Sequence, residues 1–275
     1  MTKTKMPLAS KLYMTLIIIF LYAPIFVLVL YSFNASESTS VFSGFSLRWY
    51  ESLLHDTESI KALYNTVILA VASSAISTVM GTAAAVGIHS LKNKWVKSAA
   101  MSVTNIPMMN PDIVTGISMM LLFVFVGKLV GIVNVLGFWT MLIAHVTFNL
   151  PYIILSVMPK LKQIDRHLPE AAMDLGCTPV KAFFKVILPG IMPGVISGMI
   201  MAFTLSLDDF VISYFTTGPS FQTLPIRIFS MTKKRVTPDM YALSTIIFAV
   251  VFILLLCVNL AQNRSEKKEV KEAAK

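Results

Sequence analysis

Three carboxylates stand out in a chain that is otherwise poor in charge. Asp112, Asp208 and Asp209 lie inside long apolar stretches that hold no Lys or Arg. An Asp at the centre of a bilayer costs about 2.5–3.5 kcal/mol on insertion scales. Such a residue is expected to pair, to line a cavity or to meet a cation. An ammonium group brought against one of them gains a charge-assisted hydrogen bond. Phe203, Phe210, Tyr214 and Phe215 flank the adjacent acids and offer ring faces to a cation; plain packing is their other reading. Neighbouring helical side chains point ~100° apart, so Asp208 and Asp209 cannot face one line. One can face a central path while the other pairs with an adjacent helix. The structural alternatives are a cap on the helix after Pro111 for Asp112, and protonation or a partner subunit for the 208–209 pair.

Other chemistry finds little support. His55, His89, His145 and His167 are scattered, without metal spacing, and no Ser, His and Asp form a credible nucleophile constellation. Cys177 and Cys257 are too few for a disulfide framework or a multi-cysteine metal site. The 17 methionines suit adaptable packing. A net charge of +9 might suggest nucleic acid, but the basic residues fall between apolar runs instead of forming a stripe with aromatics.

The elements that must position the acids are membrane helices. The 275 residues are 56% hydrophobic and 13% charged, with a mean hydropathy of +0.74. Soluble domains carry roughly 25% charged residues, so a water-soluble globule is excluded, and so is disorder. A spanning helix needs ~20 apolar residues. Six runs qualify, at about 12–33, 63–89, 99–126, 130–157, 191–215 and 241–260, the third interrupted by Asn105 to Asp112. The first follows Lys3, Lys5 and Lys11 and competes with a cleaved signal peptide. It is too long for a typical h-region of ~7–15 residues, so an uncleaved span is expected. Six spans put both termini on one side. Of the 23 Lys and Arg, 16 fall on the side of the termini and 7 on the other, so the termini are expected in the cytoplasm. The outer cluster Lys233-Lys234-Arg235 fits that assignment poorly. Between the first two spans, Phe45, Leu47, Trp49, Tyr50, Leu53 and Leu54 are spaced as a short amphipathic helix.

The longest cytoplasmic connection, 159–189, has its own grammar. Pro169 suits a first helical position and Glu170 the positive end of a helix dipole. Leu168, Ala171, Ala172 and Leu175 make one apolar face, Asp174 lies between them, and Gly176 suits a C-cap. Thr178 and Pro179 open a second helix with Val180, Phe183, Phe184 and Ile187 on one face. Pro189 is expected to break it before the fifth span. Gly190, Gly194 and Gly198 form two overlapping G-x-x-x-G units for close approach within the chain or to another subunit.

The string Glu170-Ala171-Ala172, then Gly176, then Val186 with Leu188-Pro189, resembles the EAA motif of the permease subunits of ABC importers. Val186 stands where that family usually has Ile. Pro111-Asp112-Ile113-Val114, Phe203 to Asp209, Thr217-Gly218-Pro219-Ser220 with Leu224-Pro225, Tyr22 to Phe26 and Ser32-Phe33-Asn34 are similar to the permeases of spermidine/putrescine importers. Together these strings cover nearly the whole chain.

The resemblance implies an all-α, polytopic protein of the type I importer permease kind, in a bacterial inner membrane. Its expected parts are a first helix and outer segment (1–62), a permease core (63–262) containing the 159–189 coupling segment, and a charged tail (263–275). Glu170, Ala171, Ala172, Asp174, Leu175 and Gly176 would then dock on a separate ATPase, and Asp112, Asp208, Asp209, Phe210 and Tyr214 would line the substrate path. The expected partners are a second permease, two ATPase copies and an extracytoplasmic polyamine-binding protein. The chain has no G-x-x-x-x-G-K-[ST] sequence, so ATP and Mg would be bound by the partner. No catalytic residue, metal site or cofactor is expected in the chain itself. The alternatives are a related importer of another cationic or small solute, and an ion-coupled secondary transporter.

Overall fold

A computed structural model describes residues 8–36, 41–165, 167–233, 239–253 and 256. The described residues are overwhelmingly helical: α1 (Leu8–Ser32), α2 (Arg48–His55), α3 (Thr57–Ser90), α4 (Lys94–Met109), α5 (Asp112–Val130), α6 (Phe138–Gln163), α7 (His167–Asp174), α8 (Pro179–Ala182), α9 (Leu188–Asp208), α10 (Val211–Thr216), α11 (Leu224–Thr232) and α12 (Asp239–Ile253). They fall into two units, residues 1–60 with 228–253, and residues 61–227 with the C-terminal stretch. Among the described residues, five helical stretches are long and apolar enough to cross a membrane: Ala9–Ser32, α3, α5, α6 and Pro179–Asp208. The expected sixth span begins as α12, a shorter apolar helix, and most of its remainder lies outside the described residues. So do the expected tail, Lys234 and Arg235.

Three boundaries differ from the sequence reading. The third apolar run is two helices. Pro111 disfavours the helical conformation for the residue before it, and Asn110 is extended (φ −82°, ψ 138°). Helix α4 ends at Met109, and α5 from Asp112 is the span. The fourth span starts at Phe138, not Val130, because Gly131 (φ 76°) terminates α5 and Asn134 (φ 63°) turns the connection. The fifth ends at Asp208, since Asp209 is extended (φ −63°, ψ 123°) and α10 follows as a separate turn.

Within the second unit, α6 is the central element, with Met141, Ile153 and Val157 fully buried. Helix α9 lies along it through small residues. A Cβ on Gly194 would stand 2.8 Å from the Ser156 carbonyl oxygen, and one on Gly198 3.2 Å from Ile153 Cα. The glycine repeat therefore serves close approach inside this chain. The polar side chains buried on α3 are largely satisfied by their own helix: Ser77 Oγ donates to Ser73 O and Thr78 Oγ1 to Ser74 O, each at 2.6 Å. In the first unit, the segment after α1 is pinned by Asn34. Its Nδ2 donates to Val41 O, and its own carbonyl accepts from Trp49 Nε1 at 2.7 Å.

Candidate functional site

The paired acids have different surroundings. The Asp209 side chain is 9% exposed and caps α10. Its Oδ2 accepts from Ser213 N at 2.7 Å and its Oδ1 from Ile212 N at 3.3 Å. The same Oδ2 is 3.5 Å from Nε2 of His145 on α6, which is also 3.0 Å from Ser213 Oγ. Asp208, the last residue of α9, is exposed. On its other side Ser206 is buried and accepts from Asn149 Nδ2 (2.8 Å) and Ser73 Oγ (2.9 Å). One acid is thus built into the seam, and its neighbour is left open between it and the bonded Ser206 two residues earlier.

Asp112 is the first residue of α5 and exposed. It is inside the helix instead of capping it, where its charge gains from the positive end of the dipole. Tyr152 of α6 is within electrostatic reach of it. The positions that α6 offers to Asp112 and to Asp209 are about two turns apart, a rise of roughly 10 Å. Neither Asp112 nor Asp208 forms a salt bridge among the described residues.

The aromatic candidates also separate. The Phe210 and Tyr214 rings are 5.4 Å apart. Phe210 packs on the core of Leu69, Met141, Leu142, Val146 and Ile226, whereas Tyr214 is 42% exposed. Phe215 fills the space left by Gly116 of α5.

The α7–α8 segment is a second candidate site. Helix α7 ends as its residues predict. Gly176 is left-handed (φ 85°), Cys177 N donates to Ala172 O at 3.0 Å and Gly176 N to Met173 O at 2.9 Å. Thr178 Oγ1 caps α8 by accepting from Lys181 N. Pro189 does not break the chain into separate helices. A π turn, Phe183–Ile187, joins α8 to α9, and Leu188 N donates to Phe183 O. The widened turn accommodates the ring and missing N–H of Pro189. Glu170, Ala171, Asp174, Leu175 and Gly176 are exposed and Ala172 is half-buried. Leu168, Met173, Leu175, Val180 and Phe184 present an apolar surface, 88% exposed at Leu175. His167 Nδ1 is 3.4 Å from Glu170 Oε2. Beside α7, a depression of about 770 Å³ is lined by Lys92, Lys94 and Lys97 together with Pro169, Glu170 and Met173.

The sequence reading dismissed His145 and did not single out Asn149. Their available signal was two polar side chains one helical turn apart in an apolar span.

Five long apolar helices among the described residues, a helix–Gly–helix unit between two of them and an acid-bearing break in a span suit a membrane transport subunit. The profile of the binding-protein-dependent transport system inner membrane components matches residues 77–271, and the chain belongs to that family. The match begins within α3 and runs into the stretch expected to be tail.

Two curated relatives match over most of their length. The putrescine transport system permease protein PotI of Escherichia coli K12 is 39% identical over 253 residues, 92% of this chain and 90% of the relative. The spermidine/putrescine transport system permease protein PotC of the same organism is 38% identical over 248 residues, 90% and 91%. A chain of a bacterial ABC transporter that imports the acidic polysaccharide alginate shares the fold. Its TM-score is 0.72 at 15% identity, over 94% of this chain and 95% of that one.

Proposed function

We propose that this chain is one of two permease subunits of an ABC importer for polyamines. The observation that carries the reading is the exposed Asp208, held at the break in the fifth span, together with a second exposed acid, Asp112, at the start of α5. Putrescine and spermidine are flexible chains with ammonium groups at intervals, and separated carboxylates on an apolar path match that alternation. The relatives PotI and PotC support the substrate class, and their near-equal identity leaves both polyamines within it. Asp208 and Asp112 are the cation contacts, Tyr214 offers a ring face, and Asp209 and Phe210 hold the break.

The α7–α8 unit is the coupling element. Its apolar surface, with the small Ala171-Ala172 pair, suits insertion into a groove on a cytoplasmic ATPase. ATP binding, with Mg, closes two ATPase copies and moves the coupling helices. The path then opens outward toward an extracytoplasmic polyamine-binding protein, and hydrolysis resets it. Both termini face the cytoplasm. The chain does no covalent chemistry.

The test is ATP-dependent uptake of labelled putrescine and spermidine by the reconstituted complex. Uptake of either supports the reading. Uptake of neither, with loaded binding protein still stimulating hydrolysis, would assign the path to another solute.

A further inference from the structure

The seam between α6 and α9 changes character along its length. Its inner part is glycine against backbone: Gly194 on Ser156 and Val157, Gly198 on Ile153. From Ser206 outward it is polar. Ser206 accepts from Asn149 and Ser73, Asp209 meets His145, and Ser213 meets the same imidazole. Asn149 and His145 are fully buried, and Asn149 Oδ1 has no protein partner. An apolar pair would join the helices without leaving a polar atom orphaned. The polar bonds fall where α9 ends: on Ser206, two residues before Asp208, and on Asp209, which follows it.

We infer that His145 and Asn149, one turn apart on α6, are positioning residues for transport: they hold Asp209 and Ser206 and so fix where the Asp208 carboxylate meets a cation. Neither touches the substrate. A cation contact lasts through a passage event only if the carboxylate stays put when it is engaged. Asp208 is the last residue of α9, where a backbone without such ties would fray. The inference rests on the reading of Asp208 as a cation contact.

A double-mutant cycle on uptake by the reconstituted complex tests it. His145→Leu and Asn149→Ala are each expected to lower uptake about tenfold. Membrane level, ATPase co-purification and hydrolysis stimulated by loaded binding protein should stay within about twofold of wild type. His145→Gln keeps a donor near the Nε2 position and should recover most of the uptake. In an Asp208→Asn background neither substitution should lower uptake further, whereas in an Asp112→Asn background their effects should multiply. Multiplication in the Asp208→Asn background would overturn the inference while leaving Asp208 as a contact. Loss of assembly in His145→Leu, His145→Gln and Asn149→Ala alike would overturn it in favour of a folding role. Wild-type uptake by Asp208→Asn alone would remove the contact itself, and the inference with it.

Discussion

The α6–α9 seam and the α7–α8 segment solve opposite problems. In the seam the glycines and several polar atoms are already used: Gly194 leaves no room for a methyl group, and Asp209 spends both oxygens on α10. In the α7–α8 segment the backbone is just as well defined, but the side chains face outward, with Leu175 and Val180 among the most exposed apolar groups in the second unit. The contrast shows which geometry is set inside the chain and which is offered to something else. Their glycines make the point. A Cβ at Gly194 meets backbone, whereas one at Gly176 meets nothing within 4 Å and is opposed only by the left-handed φ of 85°.

Substitutions can break this contrast. The largest effect is expected from Gly194→Leu, which drives a side chain into the Ser156 carbonyl and Val157 Cα. Overpacking costs ~1–3 kcal/mol where neighbours can shift, and more against backbone. The chain should disappear from the membrane fraction on immunoblots, whereas full levels would mean the helices can separate freely. Next is Gly176→Pro, with Glu170→Lys beside it. The first removes the Gly176 N–H that bonds Met173 O and cannot adopt a positive φ, and the second puts a cation at the positive end of α7. Both should keep the membrane level and lose ATPase co-purification or its stimulation by loaded binding protein. Unchanged assembly and stimulation in both would take the docking role from this segment. The smallest effect belongs to Thr178→Ala, the loss of one exposed cap worth ~1 kcal/mol. Hydrolysis stimulation should fall by no more than a few-fold.

Legibility in the sequence followed the range of the physics. The α7–α8 unit could be read because Gly176, Thr178 and Pro179 act within one turn of themselves; its start was misplaced, since α7 begins at His167, bonded to Asp165, and Pro169 is its third residue instead of its first. The existence of the long apolar helices was equally plain. The start of α6 was not, because Val130, Ile132, Val133 and Val135 look like a span, and the turn rests on Gly131 and Asn134 adopting positive φ. The π turn before Pro189 was hidden for a similar reason, since a proline signals a break unless the helix widens around it. The separate roles of Asp208 and Asp209 were foreseen only as a choice between them. That choice is made partly by the amides of Ile212 and Ser213, a cap visible only once α9 is known to end at Asp208, and partly by His145, more than sixty residues away in the chain.

The most direct test of the account is to compare Asp208→Asn with wild type in ATP-driven putrescine and spermidine uptake, at equal membrane level and equal ATPase association. The substitution keeps the shape and removes the charge. Losing one charge-assisted contact costs about 1.5–3 kcal/mol, so uptake should fall by roughly 10–150-fold while stimulated hydrolysis persists. Wild-type uptake by Asp208→Asn would contradict the account: the exposed acid would then be incidental, and the cation would be carried past other groups.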